Sequence, residues 1–414
     1  MRAVVLAAGR GERLWPLTEE TPKPLLPIAN NSILERTLEA LVQAGIRQIV
    51  LIVGFRSEKI RQRLGNGKAI GAEIKYVRQK SQKGTADAVG SCSKELVGDD
   101  RFLVLYGDDY YGTSVPRTFL AKARQNSGIT VGTANVQDAS SFGKIEFKRG
   151  LVTEILEKAS KAGPGQVNAG IYLMDQSIFP AITKTKRSVR GELELTDALR
   201  ILVSNGQPVY AQALGSRQWL GISYPWDMLE ANRWILESEK SVFKGTVEKG
   251  VQVRGPVVLE EGSVVKAGSY LEGPVRVGKR CYVGPNSYLR PFSTLGDDVK
   301  VGAGCEVKNS IVMRHTKIPH LSYIGDSVIG EDCSFGAGTI TANLRFDEAE
   351  VKSKVRRVWV NTGRKKLGAV LGDRVRTGVN VSIFPGVKIG PGAWIGPGAI
   401  VDHDVASNAR YKAS

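Results

Sequence analysis

The sequence has no long apolar run near its start and few cysteines. The apolar run from Ala3 to Ala8 covers only six residues before the chain turns polar. A signal-peptide core needs about 7–15 apolar residues, and a membrane span needs about 20. The four cysteines, 189, 24 and 28 residues apart and without a C-x-x-C pair, suit neither a disulfide framework nor a zinc site. We therefore expect a soluble, cytoplasmic protein with no membrane partner and with buried free thiols.

Histidine is scarce, whereas positive charge is abundant but dispersed. The chain has 3 histidines, and its 58 Lys and Arg against 41 Asp and Glu give a net charge of +17. A nucleic-acid-binding protein concentrates such charge on one face or stripe, but here short clusters such as 184–187 and 364–366 stand out from a scattered background. Small anionic substrates explain the charge at least as well, so no nucleic-acid partner is expected.

Length and local pattern predict an α/β domain in the first half of the chain. A chain of 414 residues exceeds what one hydrophobic core usually serves. Up to about residue 136, apolar strand-like runs such as RAVVLAA, QIVLIVG and RFLVLYGDD alternate with helix-like stretches. This rhythm predicts a mainly parallel sheet covered by helices. Ligands bind at the carboxyl ends of such strands, where Gly9, Gly11 and the Asp108–Asp109 pair are expected.

A different period governs the second half. From Val247 to Met313 every sixth residue is aliphatic, and the step resumes from Leu371 to Val401 with Thr377 as one polar substitute. A coil with three flat faces gives this period, because each hexapeptide forms a short strand and a turn with its aliphatic residue inside. Four places after an aliphatic residue the side chain is usually small or β-branched, and three of the four cysteines take that position.

The segment 6–28, LAAGRGERLWPLTEETPKPLLPI, suits a triphosphate. Gly9 and Gly11 let backbone N–H groups approach an anion closely, and Arg13 and Lys23 place two cations beside it. A glycine turn after a strand is by itself a weak signal. The complete string gives a stronger one.

The pattern L-x-x-G-x-G-x-R-L-x-P-L-T with P-K downstream resembles the sugar-1-phosphate nucleotidylyltransferases, and the likeness covers residues 1–240. The resemblance implies a Rossmann-like domain that uses Mg²⁺ and releases pyrophosphate. The implied nucleotide contacts are Leu6, Ala8, Gly9, Gly11, Gln79, Gly84 and Thr85, with Arg13 and Lys23 as catalytic cations. The implied sugar-phosphate contacts are Gly143, Glu157, Lys158, Asn168 and Gly170, and Asp108 is the implied magnesium ligand.

One position departs from that family's pattern. Its members usually complete the metal site with an acidic residue or Asn in a W-x-D-I-G string, but this chain has Gly221 there. Glycine has no side chain to ligate a cation, and Asp227 belongs to the start of a helix near 226–240. The second metal ligand stays open.

The six-residue step first fails after Met313, where the next aliphatic positions are Ile318, Ile324, Ile329 and Phe335, and His320 lies in this irregular stretch. A histidine can serve as a general base near neutral pH, which suits acyl transfer from acetyl-CoA to an amine.

The string H-L-S-Y-x-G-D with G-A-G-T-I-T-x-N downstream resembles the acetyltransferase half of the bifunctional glucosamine-1-phosphate acetyltransferase/N-acetylglucosamine-1-phosphate uridylyltransferase family. This resemblance implies a left-handed parallel β-helix of hexapeptide repeats that forms a homotrimer with active sites between subunits. The implied residues are His320 as the base, Arg290 and Lys308 for the sugar phosphate, and Tyr323 and Asn343 for substrate. Contacts with acetyl-CoA after Asn343 cannot be carried over.

The predicted organisation is a nucleotidylyltransferase domain at 1–225, a connecting helix at 226–244 and a β-helix at 245–414 with an inserted loop at about 344–366. The leading hypothesis is a bifunctional enzyme of UDP-N-acetylglucosamine synthesis. One alternative keeps only nucleotidyl transfer, with a trimerising or regulatory β-helix, and another is a non-catalytic assembly subunit. UTP or dTTP, the preferred sugar, and galactosamine 1-phosphate as a substrate all stay open.

Overall fold

The computed structural model describes residues 1–140, 142–157, 163–189 and 191–412, which form two compact units. The first unit consists of Met1–Arg10, Pro22–Leu25 and Ser32–Gly221. The second consists of Gly11–Thr21, Leu26–Asn31 and Ile222–Ser414. Two short segments close to the start of the chain therefore belong to the second unit. No described helix is long and apolar enough to cross a membrane.

A nine-stranded sheet forms the centre of the first unit. In chain order its strands are β1 Ala3–Ala7, β2 Gln48–Val53, β3 Glu73–Arg78, β4 Arg101–Tyr106, β5 Ile129–Val136, β6 Gly143–Lys148, β7 Leu151–Glu157, β8 Gly165–Asp175 and β9 Val209–Ala213. Their spatial order is β3-β2-β1-β4-β8-β5-β9-β7-β6. The first four of these in space are mutually parallel, and β8 joins them antiparallel to β4.

The α-helices among the described residues of this unit are α1 Ile33–Gln43, α2 Ser57–Leu64, α3 Thr85–Gly90, α4 Val115–Ala123, α5 Ile178–Lys184 and α6 Leu195–Ser204. The first shows why its sequence starts a helix. The Ser32 Oγ accepts from the Glu35 N–H at 3.1 Å, and a Glu35 carboxylate oxygen accepts from the Ser32 N–H at 3.1 Å. This reciprocal capping box satisfies two backbone donors that a helix start otherwise leaves unpaired.

The second unit begins its C-terminal part with α7, Pro225–Glu237, followed by three parallel β-sheets that stack coil upon coil. The strands of the first face are Val242–Phe243, Val257–Leu259, Val275–Val277, Thr294–Leu295, Ile311–Val312, Val328–Ile329, Val370–Leu371 and Lys388–Ile389. Those of the second face are Thr246–Val247, Val264–Val265, Tyr282–Val283, Lys300–Val301, Lys317–Ile318, Arg376–Thr377, Trp394–Ile395 and Arg410–Tyr411. Those of the third face are Gln252–Arg254, Tyr270–Glu272, Tyr288–Leu289, Glu306–Lys308, Tyr323–Gly325, Ile340–Thr341, Ser382–Ile383 and Ile400–Val401.

The interior of these coils explains the two repeated positions of the sequence. The inward aliphatic side chains form one buried cluster from Val257 to Val405. The small residues four places later bond the next coil: the Ser263 Oγ donates to the Gly278 carbonyl at 2.6 Å, and the Cys281 Sγ donates to the Gly296 carbonyl at 3.0 Å. All four cysteines are free and buried, as predicted.

The register differs from the predicted one at a single step. Leu295 pairs with Val312 rather than with Met313, and Val312 lies in the interior cluster. The first five-residue step therefore falls between Val307 and Val312, one step earlier than the sequence pattern indicated, which put it between Met313 and Ile318. The spacing alone could not distinguish the two, because both residues are apolar and both are buried.

An inserted segment interrupts the coils after Asn343. It contains an antiparallel hairpin, Lys352–Val355 paired with Val358–Asn361, and its base is closed where Leu344 bridges to Lys366. The Ser353 Oγ donates to the Gly386 carbonyl at 2.8 Å. The hairpin is therefore packed on a later coil of the β-helix rather than projecting freely.

Buried Asn232 links α7 to two other parts of the second unit. Its Oδ1 accepts from the Ala29 N–H at 3.0 Å and from the Thr294 hydroxyl at 2.8 Å. Its Nδ2 donates to the Phe292 carbonyl at 2.9 Å. One fully buried amide thus joins an N-terminal segment, the helix and the first face of the β-helix.

Candidate active sites

Strands β1 and β4 place the first candidate site. Leu6 lies opposite Tyr106 in this parallel pair, so the residues that follow both strands lie at one edge of the sheet. The Gly107 N–H donates to the Leu6 carbonyl at 2.8 Å, and the Ala8 carbonyl accepts from the Phe55 N–H at 3.2 Å and the Gln82 side chain at 2.9 Å. These bonds fix the backbone that leads into Gly9.

Lys23 and the two aspartates after β4 form a charged cluster at this edge. The Lys23 Nζ lies 2.8 Å from the Asp108 Oδ2 and 3.8 Å from the Asp109 Oδ1. The Lys23 side chain is only 9% exposed, whereas that of Asp108 is 32% exposed. A nearly buried ammonium group is thus neutralised by carboxylates, as burial of a charge requires.

The same carboxylates test whether Mg²⁺ suits the site. No group of three or more His, Cys, Asp or Glu with metal-binding geometry occurs among the described residues. Mg²⁺ does not need one, because it commonly binds through one or two carboxylates together with substrate phosphates and waters. The hard oxygen donors of Asp108 therefore fit Mg²⁺ that arrives with a triphosphate.

The space at Gly221 is occupied by aromatic rings. A Cβ at this position would lie 2.8 Å from a ring carbon of Phe142 and 3.3 Å from one of Trp219. The two rings meet edge to face with centroids 5.5 Å apart, and the Trp219 indole N–H donates to Asp109 at 3.3 Å. A metal-ligating side chain has no room here, so the departure seen in sequence extends to the surrounding packing.

Asp227 does not replace the missing ligand. Its Oδ2 accepts from the backbone N–H groups of Ser223 and Tyr224, both at 2.7 Å. This arrangement caps the start of α7 in the second unit.

Gln79, Gly84 and Thr85, the residues expected to read the base, lie close together. The Gln79 Nε2 donates to the Gly84 carbonyl at 3.0 Å and to Asp87 at 2.8 Å. The Thr85 hydroxyl accepts from the Leu195 N–H at 2.9 Å. Gly84 has a φ of +116°, and a Cβ there would lie 2.4 Å from the Leu193 carbonyl oxygen, so this position requires glycine.

The backbone register gathers the expected sugar-phosphate positions. Gly143 on β6 lies opposite Glu157 on β7, and Val167 on β8 lies opposite Lys144, which brings Asn168 to the same region. The Asn168 Nδ2 donates to the Tyr172 hydroxyl at 2.6 Å. Lys158 lies outside the described residues.

Three tyrosines at this region escaped the sequence analysis. The Tyr106 and Tyr172 hydroxyls lie 3.1 Å apart, and the Tyr111 hydroxyl donates to the carbonyls of Ala169 and Gly170, both at 2.9 Å. Burial raises the pKa of Tyr111 and of Tyr172 well above the ordinary value, so both keep their protons at neutral pH. For Tyr106, at the end of a predicted strand, and Tyr111, shortly after it, that position was the available signal.

Gly11 and Arg13 lie in the second unit. The Gly11 carbonyl accepts from the Thr18 hydroxyl at 2.9 Å. The Arg13 guanidinium lies over the Tyr224 ring, 5.5 Å from its centroid, in a cation–π contact. Arg13 is thus held by an aromatic ring, and no carboxylate among the described residues forms an ion pair with it.

The second candidate site centres on Asp326, a residue that sequence reasoning did not identify. Asp326 is 4% exposed and contacts the Lys308 Nζ at 3.3 Å and the Asn309 Nδ2 at 2.6 Å. The Asn343 Nδ2 donates both to Asp326 and, at 3.1 Å, to the Tyr323 hydroxyl. Three predicted residues are therefore linked around one carboxylate. Burial raises the pKa of Tyr323, which leaves its hydroxyl proton available to a substrate.

A pocket of about 550 Å³ adjoins this cluster. Its cationic lining consists of Arg233, Arg290, Lys308, Arg364, Lys365 and Lys366. Its carboxylates are Glu230, Glu272 and Asp326. Arg290, which pairs with Glu306 at 2.7 Å, and Lys308 thus line one pocket. Such a mixture of charges suits a ligand that carries both a phosphate and an amine.

His320 lies on an exposed turn between the second and third faces. Its carbonyl accepts from the Ser322 hydroxyl at 2.8 Å and from the Gly338 N–H at 3.2 Å. Within the described part of the chain, the residues that line the pocket do not include His320. The structure therefore brings together four of the five predicted residues and places the histidine three positions before one of them, Tyr323.

Family models match both units. Residues 2–238 match the family described as nucleotidyl transferase. Residues 270–384 match the GMPPB C-terminal domain, and residues 368–403 match the hexapeptide repeat of succinyl-transferase. The last match, together with the three stacked parallel sheets, confirms the predicted left-handed β-helix of hexapeptide repeats.

Proteins similar over the whole chain carry two activities in their names. A bifunctional sugar-1-phosphate nucleotidylyltransferase/acetyltransferase of Sulfurisphaera tokodaii is 41% identical and covers 100% of both chains. The bifunctional protein GlmU of Methanocaldococcus jannaschii is 42% identical over 99% of this chain and 96% of its own. A solved Bacillus anthracis structure assigned to glucose-1-phosphate thymidylyltransferase is 29% identical with a TM-score of 0.51, covering 56% of this chain and 94% of that chain.

Proposed function

Because the chain belongs to the family of bifunctional sugar-1-phosphate nucleotidylyltransferase/acetyltransferases, we propose that it catalyses two steps towards UDP-N-acetylglucosamine. One step N-acetylates glucosamine 1-phosphate with acetyl-CoA. The other transfers a nucleotidyl group from UTP or dTTP to N-acetylglucosamine 1-phosphate or glucose 1-phosphate. The main observation that supports adding acetyl transfer to nucleotidyl transfer is the cluster of Lys308, Tyr323 and Asn343 around Asp326. This cluster adjoins a pocket lined by both cationic and acidic side chains.

In the nucleotidyl transfer, a phosphate oxygen of the sugar 1-phosphate attacks the α-phosphorus of the nucleoside triphosphate in line. The bond to the leaving pyrophosphate breaks, so no protein nucleophile is needed. Lys23 exchanges its contact with Asp108 for the triphosphate, and with Arg13 it neutralises charge on the equatorial and leaving oxygens. The freed Asp108 carboxylate would hold Mg²⁺, which supplies further charge neutralisation.

The remaining residues of the first site orient the substrates. Gln79, Gly84 and Thr85 form the loop that reads a pyrimidine base. Gly143, Glu157, Lys158, Asn168 and Gly170 hold the sugar phosphate. A Cβ at Gly170 would lie 2.5 Å from the Tyr106 ring, so a larger residue at this position would displace the tyrosine.

In the acetyl transfer, His320 takes a proton from the amine of glucosamine 1-phosphate as the nitrogen attacks the thioester carbonyl. The carbon–sulfur bond then breaks, and CoA leaves as the thiol after protonation. Arg290 and Lys308 hold the sugar phosphate, whereas Tyr323 and Asn343 orient the sugar. A general base of this kind contributes about 10²–10⁴ in rate.

We further propose that the active form is a homotrimer joined through the β-helix. Hexapeptide-repeat proteins commonly associate through these faces. The third face presents Ile340 and Ile400, which are 37% and 60% exposed, at outward positions two coils apart in one register. Association would cover these apolar side chains, whose burial is favourable.

A substrate panel tests both activities. Pyrophosphate release is measured with each of UTP, dTTP, GTP and CTP against N-acetylglucosamine 1-phosphate and glucose 1-phosphate. Thiol release is measured with acetyl-CoA and glucosamine or galactosamine 1-phosphate. Release of both products supports the proposal. Absence of pyrophosphate with every pair would leave acetyl transfer alone, and absence of both would favour an assembly subunit.

A further inference from the structure

The second face of the β-helix carries a column of outward side chains that, apart from Ser334, are basic or aromatic. Register places Lys300 opposite Lys317, Lys317 opposite Ser334, and Ser334 opposite Arg376. Arg376 lies opposite Trp394, and Trp394 opposite Arg410. All of these residues except half-buried Ser334 are exposed. The column is hidden in the sequence, because its members are 16 to 42 residues apart.

Trp394 lies between two guanidinium groups at the C-terminal end of this column. The Arg410 Cζ lies 3.6 Å from the centroid of the Trp394 ring, and the Arg376 Cζ lies 5.8 Å from it. The Trp394 side chain is nevertheless 48% exposed. A stacked Trp–Arg pair presents a flat surface to a planar ring, and the free edges of the guanidinium groups suit phosphate oxygens.

The four cations of the column lack acidic partners. Throughout the described ranges, no ion pair or side-chain hydrogen bond involves Lys300, Lys317, Arg376 or Arg410. Elsewhere on the β-helix, exposed Arg280 is paired bidentately with Asp298. An uncompensated row of positive charge attracts an anion more strongly than a face of paired charges does.

The column runs beside a corner that begins at His320. The Gly338 N–H donates to the His320 carbonyl at 3.2 Å. In the following coils this corner is formed by small segments, 378–380 and 396–398, each with a glycine at its start. Neighbouring strands are about 4.8 Å apart, so the four steps from Lys317 to Arg410 span roughly 19 Å. That distance is comparable with the reach of the extended pantetheine arm of CoA.

We propose that Arg376, Trp394 and Arg410 bind the adenosine diphosphate end of acetyl-CoA. The adenine ring packs on the Trp394–Arg410 stack, and the phosphates contact the two guanidinium groups. The pantetheine arm follows the corner towards His320 and brings the thioester to the base. The assignment of the ligand rests on the proposed acetyl transfer, whereas the anion- and ring-binding surface rests on the column itself.

Direct binding of CoA to the full-length protein tests this assignment. Calorimetric titration with CoA and 3′-dephospho-CoA compares the wild type with Trp394→Ala, Trp394→Phe and the double variant Arg376→Gln/Arg410→Gln. Loss of stacking on one base is expected to weaken CoA binding about 10-fold in Trp394→Ala, whereas Trp394→Phe stays close to the wild type. The double variant should lose most of the preference for CoA over its 3′-dephospho form.

Lys300→Gln is the matched control, because Lys300 is exposed and unpaired on the same face but lies on the other side of the His320 coil. It is expected to bind CoA as the wild type does. In acetyl transfer, Trp394→Ala should raise the KM for acetyl-CoA with kcat maintained at saturation. With the acetyl thioester of N-acetylcysteamine, which lacks the nucleotide, the variant and the wild type should be equally active.

The outcomes separate this site from the proposed activity. Unchanged CoA affinity in Trp394→Ala and in the double variant, or no CoA binding by the wild type, would overturn the site. Weakened binding in these variants without acetyl transfer to any amino sugar would support the site and refute the proposed acetyltransferase. Acetyl transfer with the same KM for acetyl-CoA in all variants would support the proposed acetyltransferase and refute the site.

Discussion

Lys23 and His320 differ in their burial and in their contacts. Lys23 is buried and bound to Asp108 and Asp109, so it must exchange partners before it can act on a substrate. His320 is exposed on a turn and has no such exchange to make. The two side chains also belong to different units, which makes their effects separable.

Single substitutions should therefore strongly lower one activity and leave the other unchanged. We expect His320→Ala to lower acetyl transfer by about 10²–10⁴, with pyrophosphate release unchanged. Lys23→Ala should lower pyrophosphate release by about 10²–10³, the scale for one lost preorganised charge partner, with acetyl transfer unchanged. His315→Ala is the control for His320, since His315 is a second exposed histidine of the β-helix, paired with Asp332 at 3.3 Å. Normal acetyl transfer in His320→Ala would exclude it as the base.

At Gly221 the packing predicts that an added carboxylate is not enough to create a metal ligand. Gly221→Asp should lower the unfolding temperature, because its Cβ would meet Phe142 at 2.8 Å, and should leave Mn²⁺ affinity in the presence of nucleotide unchanged. In a Phe142→Ala background the same substitution has room, and tighter Mn²⁺ binding is expected by electron paramagnetic resonance. Tighter binding in the single variant would show that the rings do not block the position.

The positions of Gly9 and Asp108 just after two strands could be predicted from sequence, since the apolar runs before them specify those strands locally. Asp326 could not, because nothing near it in sequence indicates that it meets Lys308 and Asn343. Those contacts arise only when coils 17 or 18 residues apart stack upon each other. The tyrosines around Asn168 were missed for a different reason, since a Tyr beside a strand is an ordinary core residue.

Among the secondary-structure elements, the coils of the β-helix were the most predictable. A period of six specifies an inward position in every hexapeptide, and all but the terminal coils bury it. The error at Met313 shows where the pattern is insufficient. Where two adjacent residues are apolar, only pairing with the previous coil selects the inward one, and here it selects Val312.

Asp373 at a corner of these coils should make the stability of the β-helix depend on pH. It is 8% exposed, and burial, the largest cause, raises its pKa from 3.8 to about 6. Because the folded state binds the proton more tightly than the unfolded state, stability from this group is present below pH 4 and is lost as the pH rises to 6. The shift corresponds to on the order of 3 kcal/mol.

Asp373→Asn removes this titration and keeps an oxygen that can accept from the Glu331 N–H, now at 2.9 Å. The variant should be more stable than the wild type at pH 7, and the advantage should shrink as the pH falls from 6 to 4. Denaturant unfolding at pH 4, 5, 6 and 7 measures it. A difference independent of pH would mean that Asp373 titrates normally.

For the whole molecule, assembly and acetyl transfer should be linked. We expect light scattering to give three copies of the 44.8 kDa chain. The double variant Ile340→Glu/Ile400→Glu should dissociate, because each new charge would have to be buried without a partner, and should lose acetyl transfer while it keeps pyrophosphate release. Val358→Glu, at a 64% exposed position of the inserted hairpin, is the control. A trimeric double variant would place the interface elsewhere.

Domain order could be predicted from the change of period, but the membership of Gly11–Thr21 and Leu26–Asn31 in the second unit could not. No local pattern encodes partners that are hundreds of residues away. The bonds of Asn232 to Ala29, 203 residues earlier, have no signature in either segment.

The place of Gly11–Thr21 in the second unit also has a consequence for folding during synthesis. Glu20 contacts Arg374, 354 residues later, and Glu19 contacts Ser407, 388 residues later. At about 5–20 residues per second, roughly 20–70 s pass between the synthesis of Glu20 and that of its partner. The loop that carries Gly11 and Arg13 therefore cannot form these contacts until the last coils have been synthesised. In a chain truncated before those coils, the loop would lack its contacts with Arg374 and Ser407.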